Sequence, residues 1–384
     1  MENESSKEIE NIGLICKSIM EDPETHIESL SLLQKSFEYK DWNYRSILFL
    51  SLTKLFKNIV PFYKIRTLKG KVKLGEEEDF ISSFDKKLLK EYTYFINKLN
   101  QFDNSITYEC AANLLTSLAH FNHSDKLITK ILRGSLKKEF DHSQVIHKVI
   151  AQDKEGEITE MITNRMIDLE YNPKLLESFL LINLPDEKYK KVYDNILRIY
   201  FTILKEEKKF FLYFTYKGLI KYKDKIGKKY LEGLYLMLNN LLFKGDISSR
   251  IECINSILFI YGEREFDFKK IISSLFEMIT PLKYYIKENE SVTLSDLLRN
   301  MLILRRQNEN RVVKFIHRLM QYSMHKYSHS FVSLVHELSV SYSVDLNENI
   351  LIGKERYNYF SDDIDEIEEK RFTEHSLFKR MFNK

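Results

Sequence analysis

The feature that most constrains this 384-residue chain is the spacing of its apolar residues in steps of three and four, interrupted at prolines, glycine-bearing stretches and short polar or charged runs. Residues 48–102 show it best. Leu48, Leu52, Leu55, Phe56 and Ile59 share one helical face, and Pro61 lacks the amide hydrogen another turn would need. A helix is therefore predicted to end near residues 58–60. The connector PFYKIRTLKGKVKLG follows at residues 61–75, where Gly70 and Gly75 permit bends and Lys64, Arg66, Lys69, Lys71 and Lys73 stand without an acid. It is expected to be exposed and cationic. From Glu76 the acids EEED suit the positive end of a helix dipole, and Ile81, Phe84, Leu88, Tyr92, Phe95, Leu99 and Phe102 continue the spacing. A long helix is predicted over residues 76–102.

The same logic extends along the chain. Residues 9–19 predict one amphipathic helix, and Asp22 before Pro23 reads as N-cap and first position of a second, reaching about Phe37. Residues 106–118 and 127–136 give two helices joined by AHFNHSD, which reads as a turn. Residues 139–171 are helical with a break near 153–156; Asn172–Pro173 and Asn183 before Pro185 start two more. The charge run at residues 205–209 marks a boundary. Beyond it, residues 230–243 are apolar almost all round, which predicts a helix packed on both sides, and further helices follow at 251–261, 268–279, 294–304, 312–324 and 331–340. Strand-like alternation never persists. Helix plus connector runs to about twenty residues, so pairs recur near the ~40-residue period of HEAT-like units. The expected fold is all-α, an irregular HEAT-like or armadillo-like α-solenoid of stacked helical pairs.

Composition narrows the function classes. With 59 Lys and Arg against 56 Asp and Glu, the net charge is only +3, so any nucleic-acid surface must be local. Cys16, Cys110 and Cys253 lie far apart without a CxxC pair, which suggests neither a disulfide framework nor a zinc ribbon; Cys110 and Cys253 read as core side chains. No apolar run reaches the ~18 residues of a membrane span, so no membrane association is expected. Phosphate-cradling GxxxxGK[ST] and GxGxxG loops and a GxSxG elbow are absent. His325, His329 and His336 lack the HExxH pattern of a metal site, and the acidic run Asp362, Asp363, Asp365, Glu366, Glu368 and Glu369 lacks the glycine of an EF-hand. No catalytic residue, metal site, cofactor or small-molecule substrate is expected. Two basic clusters remain: Lys64, Arg66, Lys69, Lys71 and Lys73 beside Phe62 and Tyr63, and Arg305, Arg306, Arg311, Lys314 and Arg318, the last three sharing a helical face by their spacing. Each reads either as a solvated charged face or as an RNA contact in which cations pair with phosphates and rings stack on unpaired bases.

KLFKNIVPFYKIRTL and SFDKKLLKEYTYFINKL resemble a signature of the nucleolar complex-associated protein 3 family, in which a proline, an aromatic residue and an Ile-Arg pair lie between two helices. Phe62 stands where that family prefers glycine, and Thr67 where it prefers proline. The turn HFN is similar to the family's "LPHFN". In the second half, IECINSILFIYGEREFDFKKIISSLFEMI and RRQNENRVVKFIHRLMQYSM look like its CCAAT-binding-factor-like domain, and ERYNYFSDD through EHSLFKRMFNK faintly like that domain's close, where Tyr357 and Phe360 stand.

The resemblance implies a non-catalytic assembly factor of the large (60S) ribosomal subunit in the nucleolus of the nucleus. Its partners would be a nucleolar complex-associated protein 2 family member, as a heterodimer, together with precursor large-subunit ribosomal RNA and ribosomal proteins. The ten cations named above are then candidate RNA contacts, and Phe62, Tyr63, Tyr357 and Phe360 candidate partner contacts. A chromatin-associated replication-initiation factor and a transport adaptor are the alternative readings. The expected organisation is an N-terminal helical domain over 1–136, connecting helices over 137–205, the CCAAT-binding-factor-like domain over 206–344, and an acidic tail with a short helix over 345–384.

Overall fold

A computed structural model describes residues 2–38, 41–65, 82–183, 189–262, 268–280, 283–326 and 328–344. Among them every regular element is helical. The order is α1 (Glu2–Glu21), α2 (Pro23–His26), α3 (Ser29–Lys35), α4 (Trp42–Ile59), α5 (Ser83–Gln101), α6 (Ser105–Leu118), α7 (Ser124–Gly134), α8 (Ser143–Gln152), α9 (Glu157–Asp168) and α10 (Leu175–Phe179). It continues with α11 (Lys190–Lys205), α12 (Lys209–Lys221), α13 (Leu231–Leu241), α14 (Ile247–Tyr261), α15 (Lys269–Met278), α16 (Glu288–Arg299), α17 (Glu309–His325) and α18 (His329–Ser341). A π-helical turn, Asn300–Leu304, extends α16 and closes with the Arg305 amide donating to the Asn300 carbonyl at 3.1 Å. Packing divides the chain into two units, Met1–Ile199 and Tyr200–Lys384.

Capping side chains set several of the helix starts. The Asp41 carboxylate accepts from the amides of Asn43 and Tyr44, Asn104 from Thr107, Asp246 from Ser249 and Asn308 from Asn310, each satisfying donors that the first helical turn leaves unpaired. Asp22 caps as expected, accepting from Thr25, but α2 lasts one turn before the chain re-enters α3. The helix expected from residue 76 starts instead at Ser83. Ser82 is extended, and its hydroxyl accepts from the Asp85 amide at 2.9 Å, so the serine rather than the preceding acids sets the boundary. Residues 66–81 lie outside the described residues, as do Pro185 and the tail from residue 345.

In unit 1, α1 packs on α3 and α4, α4 on α6, α6 on α7 and α8, and α7 on α8 and α9; α5 lies against α3, α6 and α7. In unit 2, α14 packs on α12, α13 and α16, and α18 on α16 and α17. Helices thus meet neighbours one to three places along the chain, the stacked arrangement of a solenoid-like fold. A file of rings runs through unit 1: Phe37 to Phe49 at 4.7 Å, Phe49 to Phe95 at 6.1 Å, Phe95 to Phe56 and Phe56 to Tyr92 at 5.2 Å, and Tyr92 to Phe121 at 5.1 Å. These centroid separations suit tilted and edge-on ring contacts. The file ends at the turn between α6 and α7, anchoring it to the core.

Unit 2 departs from expectation at α13. Leu234, Leu238 and Leu241 are buried, but Leu236 and Phe243 are exposed, so this apolar segment is packed on one side only. At Gly218 the Tyr200 hydroxyl lies where a Cβ would be, so any larger residue would push the tyrosine off α12.

Candidate functional site

The most elaborated surface of unit 1 lies where residues 61–65 leave α4. Pro61 ends the helix, the Val60 amide makes the last bond back to Phe56, and Val60 is already extended. The next residues do not form a free link. Ile65 is buried, and the Asn122 carboxamide grips its backbone from both sides, its oxygen accepting from the Ile65 amide at 3.0 Å and its nitrogen donating to the Ile65 carbonyl at 2.9 Å. His120 Nε2 lies 3.1 Å from the Pro61 carbonyl. A carbonyl only accepts, so this nitrogen carries the proton. Tyr63 donates its hydroxyl to Asp85, 3.2 Å from each carboxylate oxygen, and burial together with the Asp85 charge raises its phenol above the ordinary range. The exposed pair Lys64–Glu157, at 3.9 Å, adds little.

The gripping turn, residues 119–123, is itself over-determined. Phe121 is wholly buried, and the Ser124 hydroxyl lies 2.7 Å from the carbonyls of Ala119 and Phe121. His123 takes a left-handed φ of 67°, and its Nε2 is 2.7 Å from the Thr93 hydroxyl. Thr93 donates its one hydrogen to the Leu89 carbonyl at 2.6 Å, so His123 Nε2 must be the donor to Thr93. Burial lowers the His123 pKa, which favours this neutral imidazole.

This framework presents Phe62. Its ring lies beside the His120 imidazole at 6.1 Å and 22°, yet the residue is 97% exposed. Tyr63 next to it is 57% exposed. A ring held on a fixed backbone and left in water is a contact surface with little ordering entropy left to lose. The structure thus unites Phe62, Tyr63 and Lys64 with His120 and Asn122. The two histidine-turn residues were missed because they act through backbone groups 57 and 59 residues away; the one available signal is that both segments carry the family resemblance. Arg66, Lys69, Lys71, Lys73, Tyr357 and Phe360 lie outside the described residues.

The cluster in unit 2 does not form one face. Arg306 is exposed and has a φ of 37°. Arg305 is half-buried with its guanidinium 4.8 Å from the Phe268 ring centroid, and Arg311 and Lys314 are half-buried on α17. Arg318 is a correction. It is fully buried, donates to the Thr280 hydroxyl at 2.7 Å and lies 4.3 Å from the Phe276 centroid, so it cannot reach RNA. Its helical spacing holds, but the second half of α17 is enclosed on every side. Sequence reasoning also passed over Arg250, which is wholly buried. It donates to the Leu242 carbonyl, the Tyr284 hydroxyl, Ser274 and Glu277 at 2.9 to 3.1 Å. Burial acts to raise the Glu277 carboxyl, but Lys283 and Arg250 outweigh it and hold the pKa below the ordinary value.

All three cysteines are buried, and desolvation raises their thiols to about 11 for Cys16 and Cys110 and about 12 for Cys253, which makes them poor nucleophiles. Among the described residues no three His, Cys, Asp or Glu cluster as metal ligands, and no helix is long and apolar enough to cross a membrane.

A family model described as nucleolar complex-associated protein matches residues 7–95, a span that includes α4, the Phe62 segment and most of α5. The nucleolar complex protein 3 homolog of Mus musculus is 24% identical over 226 residues, covering 48% of this chain and 28% of the mouse protein. That of Xenopus laevis is 20% identical over 432 residues, covering 85% of this chain and 54% of the frog protein. Nucleolar complex-associated protein 3 of Schizosaccharomyces pombe is 26% identical over 248 residues, covering 56% and 32%. The chain spans about half or less of the length of these relatives.

Proposed function

This chain belongs to the nucleolar complex-associated protein 3 family, and from that premise we propose that it is a non-catalytic assembly factor of the large (60S) ribosomal subunit. The nucleolus, within the nucleus, is its compartment, as the relatives' names indicate. In this reading Phe62 and Tyr63 anchor a member of the nucleolar complex-associated protein 2 family in a heterodimer. Precursor ribosomal RNA meets Lys64, Arg66, Lys69, Lys71 and Lys73 in unit 1, and Arg305, Arg306, Arg311 and Lys314 in unit 2. Stacked helices hold partner and RNA in place, with no bond made or broken.

The observation that supports this most is the exposed Phe62 ring on a segment fixed by His120, Asn122 and Asp85. Buried aromatic anchors carry a large part of the energy in protein interfaces. The test is a tagged pull-down from the native cell at moderate salt, with proteins and RNAs both identified. The wild-type chain should recover its sister nucleolar protein with large-subunit precursor RNA. The double variant Phe62→Ala, Tyr63→Ala should lose at least about tenfold of the sister protein, since truncating an interface anchor costs on the order of 2 kcal/mol. Undiminished recovery would remove the anchor role. Origin-binding proteins without precursor RNA would replace ribosome assembly by replication initiation.

A further inference from the structure

In unit 2 a cleft of about 480 Å³ opens among α12, α14, α16 and the π-helical turn. That volume suits one small ligand or one nucleotide. Leu258 and Leu297 give it apolar lining, while Phe259, Asn255, Asn300 and Arg305 supply an aromatic ring, two primary amides and a guanidinium. The π-helical turn accounts for part of this arrangement, since its closing bond joins Asn300 to Arg305. Such turns are frequent at functional sites.

The chemistry is that of a receptor for an unpaired nucleobase. Phe259 is 54% exposed, and the Lys223 ammonium sits 4.1 Å from its ring centroid, steadying the ring and placing a cation beside it. Aromatic rings in such settings stack on bases irrespective of sequence. A primary amide offers donor and acceptor together, matching a base edge. Arg305 is backed by Phe268, and its buried Nε has no partner among the described residues. The flank of the cleft is strongly cationic. Residues 208–230 hold eight lysines against one acid, Asp224, and they include α12, which contributes Ile220 to the cleft. One carboxylate lines the cleft, that of Asp296, and it is paired with Arg299 at 2.6 Å.

We propose that this cleft takes one unpaired base of a single-stranded RNA whose phosphates run over the lysines of residues 208–230. The inference rests on the reading that the chain meets RNA. Its test is fluorescence anisotropy of the full chain with a labelled 12-nucleotide single-stranded RNA, the same RNA as a duplex, and the deoxyribose strand. Phe259→Ala should weaken single-strand binding about tenfold, within the range of one lost base stack, and Asn300→Ala severalfold, with duplex binding unchanged. Both residues are exposed, so neither truncation threatens the core. Lys221→Glu with Lys223→Glu should weaken both RNA forms. If the lysine variant alone lowers affinity, the cleft is no base site while the RNA reading stands. If wild-type protein binds neither RNA form, both fall. Equal or tighter binding of the deoxyribose strand overturns the assignment to RNA. Loss of a captured protein partner in Phe259→Ala, without loss of RNA affinity, gives the cleft to a polypeptide instead.

Discussion

In unit 1 the residues after Pro61 follow no helical period and yet are fixed, whereas in unit 2 the regular face of Arg311, Lys314 and Arg318 divides between half-buried and fully buried positions. The first segment is held by side chains that reach its backbone; the second is set by how deeply α17 is enclosed. Periodicity therefore reports which residues share a side of a helix, and says nothing of what lies on that side. A run of cations is likewise no map of a surface. Arg318 and Arg250 are internal struts, while Phe62, an apolar ring, faces water.

The largest expected effect tests whether the buried arginines are structural. Arg250→Ala removes one of the two cations that offset burial of Glu277, leaves Ser274 without its guanidinium donor and leaves the Leu242 carbonyl with the Ser274 hydroxyl alone. Breaking a buried, hydrogen-bonded ion pair costs about 3–5 kcal/mol. Urea unfolding should register that loss, and hydrogen exchange should place it in α14 and α15, with α5 and α7 protected as before. Equal loosening of both units would break the comparison, since it would mean the Arg250 network supports more than its own unit.

Asn122→Ala should act more locally. Its carboxamide makes two hydrogen bonds to Ile65, and leaving that buried backbone pair unsatisfied costs about 1–3 kcal/mol. The Ile65 amide should exchange faster, and the Phe62 ring should lose its fixed position while α4 and α5 remain formed. Unchanged protection at Ile65 would show that His120 and Tyr63 suffice to hold the segment.

Much of the fold was legible because its signals are local. Prolines and capping side chains act within one turn, so Pro61 and Asp22 announced real boundaries, and AHFNHSD was readable as a turn. Where two local signals compete, the reading failed: the acids before Ile81 suggested a helix start that Ser82 takes. The candidate site was less legible. The Asn122–Ile65 and His120–Pro61 bonds join residues far apart in sequence, and no period encodes such a bond. Arg250 escaped because the apolar run was taken to begin at Ile251, one residue later. Of the lysine-rich flank at 208–230 the sequence marks only its start, the charge run at 205–209, as a boundary, because the flank's relation to Phe259 on α14 exists in space alone.

The smallest effect concerns a buried cation in unit 1. Lys130 is almost wholly buried, its ammonium donating to the Phe102 carbonyl at 2.8 Å, 3.7 Å from Asp103 and 4.1 Å from the centroid of Tyr108. Burial lowers its pKa to about 8, against the partial opposition of Asp103. Between pH 8 and the ordinary lysine value of about 10.4, the unfolded chain therefore keeps a proton that the folded chain has released. Stability contributed by this group rises with pH across that window, and the cost of the charged form is fully present below it. Tyr108 acts in the other direction but later. Burial and then Asp103 raise its phenol to about 12, so above pH 10 the unfolded tyrosine releases a proton that the folded one keeps, and the stability this group contributes is lost between pH 10 and 12. The Lys130 effect is thus best read between pH 8 and 9.5, where wild type should gain on the order of 1 kcal/mol relative to Lys130→Met. Urea midpoints at a series of pH values measure it. Parallel profiles for the two proteins would mean that the Phe102 carbonyl and the Tyr108 ring compensate the ammonium fully, and that unit 1 buries a charge as successfully as unit 2 buries Arg250 and Arg318.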